Sequence, residues 1–514
     1  MPDHLKALVV ILVLAGVVFS FAKSPACARA STAENFERRR NLWFGITLAA
    51  FLAHNFWIFL VVAGALLLLA LPREPSKIAM FFFLLFAVPR ISSELGGLGI
   101  VKTLFEMDYA RLLALTVLLP AFLVLRKQPG VEPFGRTLPD KLVLGFLIYS
   151  ALLMLSYGSF TGTLRKGVFL PFIDIFLPYY VASRSLRNLE GFRDALMAFV
   201  VAALVLSAIG GFEFVWRWLL YSSLDGALGA VWPYGEYLRR GDYLRAAASV
   251  GHAIPLGYVI AVAIGFYLYL RRWVPDRTMR GLGLMLLIVG LIAPVSRGPW
   301  VGAVLIFLLF VATGPGAGLQ AARYALLGGI ALPVLLATPV GEEMVQYLPF
   351  VGTIDQGTLD YRRLMLAAAY EVFLQNPIFG SPNFIEADAL QALRQGQGII
   401  DLVNTYISVS LSGGVIGLAL FGGFFLAVAA GIYGGMRSLA DQSDERYVLG
   451  QSLLATLAGI MLIIFTVASI SIVPFVYWAV AGLGVAYARM LAVERAPAPA
   501  RRAGLRQAPA RRSA

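Results

Sequence analysis

Three short stretches place arginines beside other residues able to do chemistry. In "RRGDYLRAAASVGHAIPLG", Arg239, Arg240 and Arg245 precede His252 at the mouth of an apolar run. In "APVSRGPWVG", Arg297 occupies a short turn between two such runs. In "TLDYRRLMLAAAYEVFLQNPIFG", Arg362 and Arg363 open an amphipathic helix that carries Glu371 and closes at Asn376-Pro377. A fourth stretch, "DLVNTYISVSLSGGVIGLALF", runs from Asp401, Asn404, Thr405 and Tyr406 directly into an apolar segment. Arginine at the edge of hydrocarbon is costly and asks for a partner. Guanidinium stays charged in any surroundings and grips phosphate through paired hydrogen bonds, so arginines gathered on one leaflet suit a phosphorylated ligand. A diphosphate met at the outer face of a membrane, other than as a nucleotide, points to a polyprenyl-diphosphate-linked sugar. Fixed cations stabilise charge developing on such a leaving group without a metal. The acceptor hydroxyl needs a base, for which His252, Glu371 and Asp401 are candidates. Asn404 and Tyr406 suit carbohydrate through their donors, acceptors and ring face.

Each of these residues has a purely structural alternative. Arg297 can snorkel to lipid phosphates, His252 can be a hydrogen-bonded packing residue, and Arg363 can be a solvated charge or a partner for Glu371. Asn404, Thr405 and Tyr406 can be a helix cap followed by an interfacial tyrosine. Helical spacing sets Asp401, Asn404 and Thr405 on one face, with Tyr406 about 100° further round. The pair Gly413-Gly414 permits a break or kink at the start of the apolar segment.

The elements that must hold these residues are membrane helices. Of 514 residues, 59% are hydrophobic and only 14% charged, and the mean hydropathy is +0.78. That places the chain outside the range of soluble globular proteins. Apolar runs suited to spanning fall at 5–22, 41–54, 56–72, 77–93, 109–125, 140–157, 166–183, 192–215, 249–270, 279–294, 299–313, 322–339, 412–434, 447–469 and 473–491. The expected fold is an all-α polytopic membrane protein of about 12–15 transmembrane helices with one large outer loop. The runs at 41–54 and 56–72 form a hairpin turning at His54-Asn55. "SPACARA" has the small residues of a cleavage site, but Lys6 gives a meagre positive region ahead of it, so the first run reads as an uncleaved span.

Basic loops at 23–40, 126–141, 184–193 and 271–280 share one side, which makes that side cytoplasmic and places the acidic segment 339–411 outside. The formal charge of +13 is then largely an orientation signal together with a basic, disordered tail over 492–514. Nucleic-acid binding needs a basic folded face, and none is evident. One cysteine, Cys27, excludes an intrachain disulfide. Three scattered histidines, His4, His54 and His252, do not suggest a metal site, and no nucleotide-binding loop is present, so no cofactor is expected.

The order and spacing of "SRGPW", "YRRLMLAAAYEVFLQNPIFGSPNF" and "DLVNTYISVSLSGGVIGLALF" resemble the O-antigen ligase and polymerase superfamily of bacterial polysaccharide biosynthesis over roughly residues 240–435. The resemblance implies a fold similar to polyprenyl-donor membrane glycosyltransferases, an inner-membrane location and a metal-independent site facing the periplasm. It implies that Arg245, Arg297 and Arg362, with Arg363 beside them, bind the donor diphosphate, and that His252 occupies a polar position of the same motif. Asp401, Asn404 and Tyr406 would then line the cavity's lip. Ligases of the family usually carry a histidine where this chain has Val403, which favours polymerase over ligase. The chain accordingly divides into N-terminal helices (1–240), a ligase-like core (241–435) with the periplasmic loop 340–411, C-terminal helices (436–491) and the tail. Expected partners are a polyprenyl-diphosphate-linked glycan, a glycan or lipid acceptor, membrane lipids and an envelope polysaccharide assembly complex. The alternatives are a transporter or flippase for a lipid-linked glycan, which predicts charges near the midplane and an internal repeat, and a non-catalytic envelope assembly protein.

Overall fold

The structure is a computed structural model and describes residues 2–97, 103–230, 237–336, 338, 346–347, 356–394, 400 and 402–495. Asp401 and the tail beyond Arg495 lie outside the described residues. The principal helices are α1 (Asp3–Arg29), α2 (Ala33–Leu52), α3 (Phe56–Ala70), α4 (Lys77–Leu84), α5 (Tyr109–Leu125), α6 (Leu138–Tyr157), α7 (Leu177–Ser185) and α8 (Leu189–Trp216). They continue with α9 (Ala253–Leu270), α10 (Arg277–Ile292), α11 (Arg297–Ala312), α12 (Ala317–Leu336), α13 (Gln356–Gln375), α14 (Thr405–Arg437), α15 (Glu445–Ile464) and α16 (Val473–Arg495). Strand content among the described residues is two small antiparallel pairs, β1 (Ser92–Gly96) with β2 (Thr103–Asp108) and β3 (Arg239–Arg240) with β4 (Tyr243–Leu244). Among the described residues eight helices are long and apolar enough to cross a membrane, so the fold is the all-α polytopic class expected.

Local chemistry sets the helix limits. Asn55 accepts from Trp57 N and Ile58 N and so starts α3 directly after the His54 turn. Thr137 and Asp140 form a reciprocal capping box at the start of α6, and Asn188 and Asp276 cap α8 and α10 through their side chains. Prolines explain where apolar runs are not regular helix. The run at 77–93 is α-helical only to Leu84, because Pro89 cannot supply the amide hydrogen that continuation requires. Past the end of the helix, the Phe86 carbonyl accepts from the Ser249 hydroxyl at 2.5 Å. π-Helical turns occupy Ala114–Leu118 before Pro120, and Thr163–Phe169 and Phe172–Phe176 around Pro171.

One apolar core runs from Ala7 to Leu491. Helix α9 lies at its centre, with 94% of its spanning window buried, whereas α6 is at the lipid-facing periphery, with 11% buried. Small residues bring helices close: a Cβ on Gly302 of α11 would meet the Gly459 carbonyl of α15 at 3.4 Å, and one on Gly290 of α10 would meet Ser207 Cα of α8 at 2.8 Å. At the end bearing the basic loops, several arginines are paired internally. Arg39 bonds Glu74 at 2.6 Å and Asp194 at 2.7 Å. Arg184 bonds Asp140 and Arg193 bonds Glu445, both at 2.5 Å. These charges tie helices together, because a buried cation is tolerable only when its partner's charge and hydrogen bonds offset the lost hydration.

Candidate functional site

The opposite end of the bundle is built from the first residues of α9, α11 and α14. His252 is the N-cap of α9, its Nδ1 accepting from Ile254 N at 3.3 Å. Arg297 is the first residue of α11. Asn404 is the N-cap of α14, its Oδ1 accepting from Tyr406 N at 2.8 Å and Ile407 N at 3.2 Å. The segment after α15 draws the three starts together. Thr405 N and Oγ1 both donate to the Val467 carbonyl, at 3.1 and 2.8 Å. A Cβ on Gly298 would meet Thr466 Cβ at 3.3 Å, and Ser471 Oγ donates to the Val250 carbonyl at 3.3 Å. Each helix start turns the positive end of its dipole toward this region, which favours an anion.

Three guanidiniums are fixed on the turn between α10 and α11. Arg240 Nη1 donates to the Val295 carbonyl at 2.8 Å and Arg245 Nε to the Pro294 carbonyl at 3.1 Å. Arg297 Nε donates to the Tyr347 carbonyl at 2.9 Å and its Nη2 to Gln346 at 3.3 Å. Backbone carbonyls orient these groups while leaving them cationic. The β3–β4 hairpin that carries Arg240 turns at Gly241, whose φ is +56°, and Tyr243 stacks on Phe214 at 5.3 Å and meets Tyr347 edge-on at 5.5 Å. Burial, then the Arg245 charge, push the His252 imidazole down to about 4. It is therefore neutral at physiological pH, and since Nδ1 accepts an amide hydrogen, the ring proton resides on Nε2.

Glu213, at the end of α8, holds the loop that positions Arg245 and His252. Its Oε2 accepts from Ala247 N and Ala248 N at 2.9 and 2.8 Å, and its Oε1 from Leu220 N at 3.0 Å. Sequence reasoning passed over Glu213, although a carboxylate that follows eighteen uncharged residues of the apolar run 192–215 is a signal that such a group has a task. Backbone strain also gathers at this end: of the non-glycine residues with left-handed φ among those described, Ala248, Val295, Val403 and Ser471 all belong to it. For β-branched valine this conformation is unfavourable and persists only where its surroundings impose it.

The other expected residues are distributed differently. Arg362 and Arg363 lie on α13, which starts at Gln356, six residues earlier than the two arginines suggested. Arg362 is half-buried, while the Arg363 side chain is 84% exposed and 3.9 Å from Asp360. Glu371 is exposed on the same helix. Residues 402–404 precede the helix, with Val403 at φ 38° and Asn404 extended, so helical spacing does not relate them to Thr405. The correction has a local cause, since an N-cap must leave helical geometry for its side chain to reach the following amides. Asn404 is buried, and Tyr406 donates its hydroxyl hydrogen to the Met461 carbonyl at 2.9 Å. The structure thus brings Arg240, Arg245, Arg297 and His252 into one cluster and places Asn404 at an adjoining helix start.

Residues 282–422 match the family model described as O-antigen ligase. The match bears out the superfamily resemblance across Arg297, Arg362, Arg363, Glu371, Asp401, Asn404 and Tyr406, and leaves Arg245 and His252 outside it. No curated protein matches the chain. The helices make the chain a multi-pass membrane protein, and its segment 282–422 is similar to the O-antigen ligase family.

Proposed function

We propose, taking the O-antigen ligase family of residues 282–422 as the premise, that the chain is a glycosyltransferase of the bacterial inner membrane. It transfers a glycan from a polyprenyl-diphosphate donor at the periplasmic face. The observation that carries this is the attachment of Arg240, Arg245 and Arg297 around one turn, beside three converging helix starts. An acceptor oxygen attacks the anomeric carbon, the bond from that carbon to the phosphate oxygen breaks, and the polyprenyl diphosphate leaves with the electron pair. Oriented guanidiniums and the positive ends of the helix dipoles stabilise that charge as it forms, so no metal is required. Arg362, with Arg363 beside it, adds cationic charge from α13.

His252 serves as a donor through Nε2–H, since its imidazole titrates at about 4 and Nδ1 is engaged with Ile254 N. The acceptor proton then passes to a carboxylate, Asp401 or Glu371, while Asn404 and Tyr406 flank the acceptor. Val403, where a ligase histidine is usual, favours a polymerase over a ligase. The test is glycan output in the producing bacterium with Arg297→Ala and Arg297→Lys at matched membrane levels. Loss of long polysaccharide in the alanine variant, poor rescue by lysine and accumulation of lipid-linked repeat units are expected. Unchanged polymer length and amount would remove Arg297 from the chemistry. Continued chain growth with lost transfer to a lipid acceptor would identify a ligase.

A further inference from the structure

Helix α13 leaves an apolar stripe uncovered by the other described residues. Leu366, Tyr370 and Leu374, one helical turn apart, are 58%, 63% and 56% exposed, and Ile378 and Phe379 in the following turn are 57% and 58% exposed. The opposite face is committed, with Met365, Ala369 and Val372 packed with Leu390, Leu402 and Leu411. From Leu364 to Ile385 the only charged residue is Glu371, and the arginines precede that interval. So much contiguous apolar surface marks an interaction site.

Backbone contacts fix the depth at which the stripe ends. The turn 377–381 docks into the break of α14 at Gly413-Gly414. Val415 N donates to the Pro377 carbonyl at 2.9 Å, Ile416 N to Ile378 at 3.3 Å, and Ser381 N to Leu411 at 2.8 Å. Tyr149 of the lipid-facing α6 places its hydroxyl 2.8 Å from the Phe379 carbonyl and 2.9 Å from that of Gly413. Gly414 stands about 35 Å along α14 from Arg437, at about 1.5 Å per residue. Hydrocarbon is about 30 Å thick and the bilayer with its headgroup layers about 40–45 Å, so this junction falls at the headgroup–acyl boundary. The adjoining surface is itself lipid-facing: Ile148 and Leu152 of α6 are 50% and 62% exposed, and Val415 of α14 is 54% exposed.

We propose that α13 is an interfacial helix, docked by the stripe Leu366–Tyr370–Leu374–Ile378–Phe379 into the acyl boundary of the leaflet on the site's side, with Arg363 reaching the lipid phosphates. The occupant of the stripe is bilayer lipid, and burial of an amphipathic face at this depth is the usual mode of such helices. A membrane-docked and clasped α13 holds Arg362 at a fixed height, in contrast to a lid free to lift into water.

The test needs no enzymatic activity, so it stands or falls separately from the transferase assignment. Full-length chain with Cys27→Ser and a single cysteine at position 363, 374 or 379 is spin-labelled in phosphatidylethanolamine–phosphatidylglycerol vesicles. Accessibility to oxygen is compared with accessibility to a water-soluble nickel chelate. The expected oxygen-to-nickel ratio is several-fold higher at 374 and 379 than at 363. Equal nickel access at all three sites, or low access to both reagents at 374 and 379, would overturn the proposal in favour of a solvated or protein-covered face. In the unsubstituted protein, a phospholipid carrying a diazirine on its acyl chain should label the peptide 364–379 as it labels α6. Label on α6 alone, or label on 364–379 displaced by added polyprenyl diphosphate, would also overturn it, the latter by identifying the stripe as a seat for the donor's tail.

Discussion

Replacing Gly414 with alanine should open the junction between α13 and α14, whereas the same change one residue earlier should not. Gly414 has φ 61° and ψ −163°, a region essentially closed to residues with a Cβ, and forcing alanine into it costs about 1–3 kcal/mol. The new Cβ would also lie 2.7 Å from Gly380 N and closer still to the Ile378 carbonyl. The turn 377–381 must therefore move, which sacrifices its bonds to Leu411, Val415 and Ile416. At about 0.5–1.5 kcal/mol net for each bond, the combined local loss is roughly 3–7 kcal/mol. Gly413→Ala meets only Tyr149 Cε1, at 3.5 Å, and alanine in a helix is favoured over glycine by up to about 1 kcal/mol. Hydrogen exchange of the full-length protein in lipid nanodiscs reads the difference directly. Peptides covering 376–382 and 411–417 should lose protection by on the order of 100-fold or more in Gly414→Ala, since about 1.4 kcal/mol corresponds to a factor of ten. They should be unchanged in Gly413→Ala. Equal protection in the two variants would refute the clasp and the geometric reasoning behind it.

Other outcomes follow from single contacts. Tyr149→Phe removes one shared hydroxyl and should weaken the same peptides by about 1 kcal/mol, measurable by the same exchange experiment. Glu213→Gln sets an amide N–H2 against a backbone N–H that now meets a carboxylate oxygen; a loss of about 1–3 kcal/mol in thermal stability is expected, with faster exchange over 246–250. His252 takes up a proton near 6.5 when unfolded but only near 4 when folded. Its contribution to stability is therefore complete above about 6.5 and is lost as pH falls toward about 4, as pH-dependent melting of wild type against His252→Gln would show. Transfer rates should correspondingly lack an inflection near 6.5 that His252→Gln removes. Arg39→Ala should cost about 3–5 kcal/mol by stranding the Glu74 and Asp194 carboxylates, checked by thermal unfolding.

Hydropathy alone determined the class and located the eight long apolar helices found among the described residues, because a helix must cover the bilayer with its own apolar residues and leaves that requirement in consecutive sequence. Turn chemistry was equally legible at His54-Asn55 and Asn376-Pro377, where the signal is local. The residues of the candidate cluster were visible as arginines and a histidine near the ends of runs, yet their grouping was not. Arg240, Arg245 and Arg297 meet because β3–β4 folds onto the turn after α10, an arrangement that depends on Glu213, Tyr243 and Tyr347 from distant parts of the chain. Asn404 was legible both as a sugar-binding residue and as a helix cap, and the backbone at Val403 and Asn404 decided that its oxygen caps α14.

What the sequence determined by itself was therefore whatever a single helix or turn must satisfy alone: apolar run length, the turns at His54-Asn55 and Asn376-Pro377, and a family pattern held in residues 282–422. Tertiary structure alone decided which elements each charge is tied to. Arg39 and Arg184 look no different in sequence from Arg245 and Arg297, but the former meet carboxylates from other helices and the latter are oriented by carbonyls beside three helix starts. Pairing across elements is set by packing in three dimensions, and hydrophobic periodicity carries no record of it.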